Sequence, residues 1–383
     1  ISGMLLAGIA LRNLPLSILS DLTVPREWAT VLRRASFVVI LLRGALSLDG
    51  ESLKKTKGAC LRLALLPCTV EAIVVALVSI LIFDVSILFG LLLGFLLAAA
   101  SPAVVVPSII KVAEDGYGKH LSSMIIASCS LDDVYNISMF SALLSIIFST
   151  GDSLVITLVR APIEVVAGCI LGGIVGYLGR FAPRESRFAL LLSTSMAIYF
   201  GCVHVHVDST GTISVLVAAF MAMAEWKKDH VISMEQSHLR FLWDLLFSPL
   251  LFGLIGFELR LQMLTWRLVL LGCAILAIGV VFRMIVAFFA VMGAGLSTKE
   301  RAFVALAWPS KATVQAALAT VAIDMTDKGG YGSEYREAAN IVFSLAVLSI
   351  LTTAPIGAAM IRIAAPLLLN REEMRDKEEK QTD

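Results

Sequence analysis

The chain has 383 residues, 58% of them hydrophobic and only 16% charged, with a mean hydropathy of +0.88. Soluble domains carry about 25% Asp, Glu, Lys and Arg, so most of this surface does not face water. A formal net charge of +1 suggests neither nucleic-acid binding nor an acidic tail.

The six cysteines (Cys60, Cys68, Cys129, Cys169, Cys202 and Cys273) fall in or beside apolar runs and form no C-x-x-C pair. A disulfide frame, structural zinc and thioredoxin-like chemistry are therefore not expected. The first residues, Ile1-Ser-Gly-Met-Leu-Leu-Ala-Gly8, resemble the middle of a helix rather than the charged start of a signal peptide, and one or more helices are expected upstream.

A bilayer span needs about 20 mostly apolar residues. Twelve runs qualify or nearly so: 1–12, 28–48, 58–83, 86–110, 120–148, 153–179, 186–203, 209–225, 239–257, 267–293, 300–323 and 338–366. The expected class is an all-α polytopic membrane protein. One set of alternate loops holds Lys54, Lys55, Lys57, Arg62, Lys111, Lys119, Arg180, Arg184, Arg187, Lys227, Lys228, Arg240, Lys299 and Arg301; the opposite set is poorer, apart from the segment Arg12–Arg34. Both termini are accordingly expected to be cytoplasmic, with 367–383 a solvated cytoplasmic tail. Nothing indicates whether the membrane is the plasma membrane or that of an organelle.

An ionisable residue at the centre of a span costs roughly 2.5–3.5 kcal/mol on insertion scales, so each one calls for a partner or a task. The deep set is Glu71, Asp132, Asp133, Arg160, Glu164, Asp244, Arg283 and Lys311, with Arg43, Glu258 and Arg362 nearer the ends. In Cys129-Ser-Leu-Asp132-Asp133-Val-Tyr-Asn136 the two carboxylates point about 100° apart on a helix, so one can face a cavity while the other meets a neighbour. Asn136, three and four residues on, adds an oxygen to the same region. A carboxylate so placed can trade a proton for a hard cation, which prefers oxygen ligands.

Two spans contain interruptions: Ala98-Ala-Ala-Ser101-Pro102-Ala-Val-Val-Val-Pro107-Ser108 in the fourth, and Trp308-Pro309-Ser310-Lys311-Ala-Thr313-Val-Gln315 in the eleventh. Proline removes a backbone donor and disfavours helical geometry in the residue before it. In hydrocarbon such a break survives only where the backbone is buried in protein or lines an aqueous cavity. The two breaks lie seven spans apart, an odd number, which inverts their orientation. Spans one to five and eight to twelve thus form two inverted halves, a pattern that points to a transporter site at the breaks. Span three then corresponds to span ten, so Glu71 is expected to pair with Arg283, with Asp132 as the rival partner. Arg160 with Glu164, and Glu258 with Lys311, are further expected pairs. His204 and His206 read as loop residues, and the glycines of 115–118 and 329–332 fit no phosphate-binding motif.

The sequence resembles the animal NHA-type sodium/proton exchangers (solute carrier family 9, subfamily B) of the cation/proton antiporter superfamily. The likeness runs nearly end to end through Gly3-Met-Leu-Leu-Ala-Gly8, Pro67-Cys-Thr-Val-Glu71-Ala, Ser101-Pro-Ala-Val-Val-Val-Pro-Ser108, Ser130-Leu-Asp-Asp133, Leu250-Leu-Phe-Gly-Leu-Ile-Gly256, Lys311-Ala-Thr-Val-Gln-Ala316 and Leu348-Ser-Ile-Leu-Thr-Thr-Ala-Pro-Ile-Gly357. It departs at His204–Thr212, where relatives are often richer in glycine, and at Leu131, where Phe is common. The resemblance implies an inverted-repeat antiporter fold with two crossed broken helices, and a homodimer in contact with membrane lipids. An ion-binding core (58–148 and 267–366) would sit beside dimerisation or scaffold helices (1–57 and 153–257). It makes Asp133 the main cation- and proton-binding carboxylate and Asp132 its neighbour, and it places Glu71, Arg283, Glu258 and Lys311 at the family's intramembrane charged positions.

The expected function is alternating-access exchange of Na⁺ or Li⁺ for H⁺, serving sodium transport and pH homeostasis, with no cofactor and no enzymatic reaction. Na⁺ would bind at Asp133 and Asp132, helped by Asn136, Ser101 and backbone oxygens beside Pro102, with Pro309 breaking the opposing helix. Arg283 stays charged at any working pH and cannot itself shuttle a proton, which favours electroneutral exchange. The alternatives are a sodium-coupled organic-solute symporter and a non-transporting membrane sensor or scaffold.

Overall fold

The computed structural model describes residues 2–13, 25–47, 57–148, 154–205, 207–226, 233–259 and 265–371. Among these every regular element is helical, apart from one antiparallel bridge between Tyr117 and Arg371. The helices are α1 (Ser2–Asn13), α2 (Arg26–Ser47), α3 (Lys57–Phe83), α4 (Ile87–Ala98), α5 (Pro102–Glu114), α6 (Lys119–Ile147), α7 (Leu154–Gly179) and α8 (Arg187–His204). They continue as α9 (Asp208–Trp226), α10 (Ser233–Leu242), α11 (Ser248–Glu258), α12 (Trp266–Ala290), α13 (Thr298–Ala307), α14 (Thr313–Leu318), α15 (Val321–Gly329) and α16 (Ser333–Leu368). All twelve apolar runs coincide with a helix or an interrupted helix. Among the described residues, six helical stretches are long and apolar enough to cross a membrane: Gly58–Phe83, Ile87–Glu114, Arg184–His204, Gln236–Glu258, Trp266–Ala290 and Ser333–Leu368.

Contacts gather the chain into two units, one of Ile1–Leu48, Ile137–Thr265 and Ala316–Val347, the other of Asp49–Asn136, Trp266–Gln315 and Leu348–Asp383. In the first unit, small residues set the helix spacing. A Cβ on Gly8 of α1 would strike the Gly253 carbonyl of α11, and one on Gly256 would strike the Leu5 carbonyl. Gly168, Gly172 and Gly176 repeat every four residues along α7, one face of a helix, and α9 closes on them with Thr210, Ser214 and Ala218. The hydroxyls of Thr210 and Ser214 donate across that seam to the carbonyls of Glu164 (3.1 Å) and Gly168 (3.2 Å). In lipid, where apolar contact with a neighbouring helix gains little over contact with acyl chains, close packing and such bonds drive association. The ninth apolar run is not one regular helix, because Trp243–Phe247 forms a π-helical turn between α10 and α11.

In the second unit α4 lies against α3 on Gly90 and Gly94, and a Cβ on Gly94 would strike the Ala72 carbonyl. A core of Leu63 from α3, Ile109 from α5, Ile125 from α6, Phe303 from α13 and Ile361 from α16 surrounds buried Trp308. The fourth run stops at Ala98 and resumes at Pro102, with Ala99 and Ser101 extended (φ −65°, ψ 127° and φ −104°, ψ 106°). Pro102 takes the first helical position of α5, where a missing N–H costs nothing, whereas Pro107 stays inside that helix. The eleventh run stops at Ala307 and restarts at Thr313, leaving 308–312 non-helical around Pro309. Its α13 begins with a reciprocal cap: Ser297 Oγ accepts from the Glu300 N–H, and Glu300 Oε2 accepts from the Ser297 N–H.

Gly94→Val places a side chain against the α3 backbone, and overpacking of this kind costs about 1–3 kcal/mol. The thermal midpoint of the purified protein in detergent is expected to fall. An unchanged midpoint would show that α3 and α4 are not held at this distance.

Candidate functional site

The last four carbonyls of a helix have no partner within it. At the broken end of α4 these are Leu96, Leu97, Ala98 and Ala99, all fully or nearly fully buried. Each accepts a hydrogen bond from a side chain of the C-terminal half of the chain. Gln315 Nε2 donates to Leu96 O and Ala99 O, both at 2.9 Å; Lys311 Nζ donates to Leu97 O and Arg283 Nη1 to Ala98 O. The two cations also oppose the negative end of the α4 dipole. The two breaks meet directly: the Ser101 N–H donates to Ser310 O at 2.8 Å, and Ser101 Oγ lies 3.3 Å from Thr313 Oγ1.

Carboxylates complete the cluster. Arg283 Nη1 meets Glu71 Oε2 at 2.8 Å, and its Nη2 meets both oxygens of Asp132 at 3.2 Å. Its Nε donates to Trp308 O at 3.0 Å. Lys311 Nζ meets Glu71 Oε1 at 2.7 Å, and the Lys311 N–H donates to Thr353 Oγ1. Both partners expected as rivals for Arg283 are therefore bound to it at once. Gly279, one turn before Arg283 on α12, lets that helix close on α3: a Cβ there would come within 2.8 Å of Val75 Cγ2, one turn along from Glu71.

The two neighbouring aspartates differ sharply. Asp132 accepts from Arg283 and from the Ala100 N–H (2.7 Å). Asp133 is buried, and its Oδ1 has no hydrogen-bond partner among the described residues; nor does the buried Oδ1 of Asn136. The Asn136 amide donates back to the Asp132 carbonyl at 2.8 Å. A buried oxygen left without a partner costs about 1–3 kcal/mol, which marks the place where a ligand, water or proton is wanted. In this unit the buried charges among the described residues are three carboxylates (Glu71, Asp132, Asp133) and two cations (Arg283, Lys311). Four of the five are paired. The fifth is Asp133.

The family described as sodium/hydrogen exchanger, transmembrane, matches residues 1–363. Sodium/hydrogen exchanger 9B2 of Xenopus tropicalis is 37% identical over 382 residues, covering 97% of this chain and 70% of the relative. This chain belongs to the sodium/hydrogen exchanger family. Human sodium/hydrogen exchanger 9B2 is 38% identical, covering 98% of this chain and 71% of its own length, and human 9B1 is 36% identical, covering 96% and 72%. The sodium proton antiporter MjNhaP1 from Methanocaldococcus jannaschii superposes with a TM-score of 0.76 over 96% of this chain and 92% of that chain, at 20% identity. The chain is thus a multi-pass membrane protein with the fold of that antiporter.

Some expected placements change. Glu258 does not pair with Lys311. It faces Arg33 (3.7 Å), which also meets Asp324 at 3.4 Å, because α11 packs beside α2 in the first unit while Lys311 is taken by Glu71 in the second. Asp244, expected deep in a span, is more than half exposed and pairs with Arg43 and Arg240. Ser101 Oγ is engaged with Thr313, and the α4 carbonyls next to Pro102 are all occupied. The side chain of Arg160 and residue His206 lie outside the described residues. Reading the sequence overlooked Gln315 and Thr313 as members of the cluster. The available signal was their position as buried polar residues just after a break, where free carbonyls need donors.

Arg283→Ala leaves the fully buried Asp132 without its cation and Glu71 with Lys311 alone, and removing one partner of a buried pair costs about 3–5 kcal/mol. The thermal midpoint in detergent is expected to fall much further than in Arg33→Ala, whose partners Glu258 and Asp324 are 37% and 26% exposed and can turn to water. Equal falls would contradict this account of the cluster.

Proposed function

We propose that this chain exchanges Na⁺ (or Li⁺) for H⁺ by alternating access, with Asp133 as the carboxylate that carries either ion. The observation that carries the reading is the charge deficit: two cations hold two carboxylates, and Asp133 is left one positive charge short. A proton or a sodium ion each makes up that deficit, and the two cannot do so together. Competition for one site is enough to couple the fluxes. The oxygen of Asn136 supplies a neutral ligand of the type hard cations prefer, while Asp132, held by Arg283, contributes through its field. The names of the relatives, sodium/hydrogen exchangers 9B1 and 9B2, support the same ion pair.

In this reading the core of 58–148 and 267–366 carries the ion and moves against the helices of 1–57 and 153–257, which also form a homodimer in the membrane. Both termini are cytoplasmic. Because Arg283 and Lys311 are committed to fixed carboxylates and carbonyls, neither is spare to release a proton during the cycle. Swapping H⁺ for Na⁺ at Asp133 leaves the charge of the moving part unchanged, so exchange is electroneutral.

In proteoliposomes, Asp133→Asn is expected to abolish Na⁺ flux driven by a pH gradient; retained flux would remove Asp133 from this role. Wild-type flux is expected to be independent of an imposed membrane potential once leaks are clamped. A rate that follows voltage would overturn electroneutrality, and sodium uptake that requires an organic solute would replace exchange with symport.

A further inference from the structure

Gln315 is completely buried, and its side-chain nitrogen reaches two carbonyl oxygens, those of Leu96 and Ala99. Those acceptors fix the amide's orientation, since the flipped group would set an oxygen against two oxygens. The Ala99 carbonyl belongs to the peptide unit whose N–H, on Ala100, donates to Asp132 Oδ2 at 2.7 Å. A trans peptide is planar, with its C=O and N–H pointing opposite ways. Holding the oxygen therefore aims the N–H. This peptide lies between α4 and α5, where no helical ladder restrains it. Its described hydrogen bonds are one to Gln315 and one to Asp132.

We infer that Gln315 is a positioning residue: through the Ala99–Ala100 peptide it holds Asp132 against Arg283 and so keeps Asp133 as the carboxylate left for the cation. The inference rests on the exchange reading above. Arg283 and Lys311 also cap α4 carbonyls, but both carry charge that carboxylates already claim. Gln315 supplies the same service with a neutral group, so aiming the peptide leaves the charge count of the site untouched.

The test is sodium-dependent H⁺ flux in proteoliposomes for Gln315→Met, which keeps the length and loses both donors, and for Gln315→Asn, which keeps an amide one methylene short. Removing a net hydrogen bond that orders a ligand corresponds to about a three- to tenfold effect. The KM for Na⁺ is expected to rise by that factor in Gln315→Met, with Vmax held within about twofold on the same scale, and to rise less in Gln315→Asn. Unchanged KM in both variants, or a loss of Vmax and thermal stability with KM unchanged, would overturn the proposal. If Gln315→Met does not fold, the KM of Gln315→Asn decides in the same way. Wild-type vesicles without exchange would overturn the exchange reading and this proposal with it. Wild-type exchange that Asp133→Asn abolishes, beside unaltered Gln315 variants, would overturn this proposal alone.

Discussion

Arg283 places its charge where two interrupted helices and two carboxylates converge, and the second unit is arranged so that one guanidinium can meet all of them. The planar fork has five donors. They go to Glu71, Asp132, the Ala98 carbonyl and the Trp308 carbonyl. A lysine at this position would offer a point charge and three donors on a flexible stem, too few to hold both helix ends and both acids. The burial of so many charges is tolerable only because each is matched: an ion pair in low dielectric repays its desolvation when geometry is good and its remaining lone pairs and protons are satisfied.

Small residues make that convergence possible. Gly94 lets α4 close on Ala72, the residue next to Glu71, and Gly279 lets α12 close on Val75, one turn along α3 from Glu71. The same glycine that weakens an isolated helix thus sets the distance at which an acid on α3 meets a base on α12. The free carbonyls of α4 then turn from a liability into a receptor for side-chain cations and an amide. With those oxygens occupied, the unsatisfied oxygens left beside the paired charges include Asp133 Oδ1 and Asn136 Oδ1. Ser310 Oγ and Gln315 Oε1 are buried without a hydrogen-bond partner as well, but of these groups only Asp133 can carry a charge.

Much of this was legible in the residues. The twelve apolar runs, the breaks at Pro102 and Pro309, and the pairing of Glu71 with Arg283 all follow from strong local costs: burying a charge in hydrocarbon, or interrupting a backbone there. Pairings between residues on remote helices were less legible. Glu258 with Lys311 was a guess from similar depth, and depth does not say which helices touch. Gln315 was read only as part of the interrupted eleventh run, because a glutamine, unlike a buried carboxylate, carries no obvious penalty to flag it.

The sequence by itself determined that this is a polytopic helical membrane protein, that two of its spans are broken in opposite orientation, and that Asp132 and Asp133 sit in its apolar interior. Those properties depend on composition and on neighbours along the chain. Only the tertiary structure decided which of the two aspartates is held and which is left over. That distinction rests on 100° of helix rotation: one carboxylate turns toward Arg283 on α12 and the Ala100 N–H, and its neighbour turns away. A charge count of 16% could say only that few charges are present; among the described residues the fold pairs four of the five at the centre and gives Asp133 no ion-pair partner.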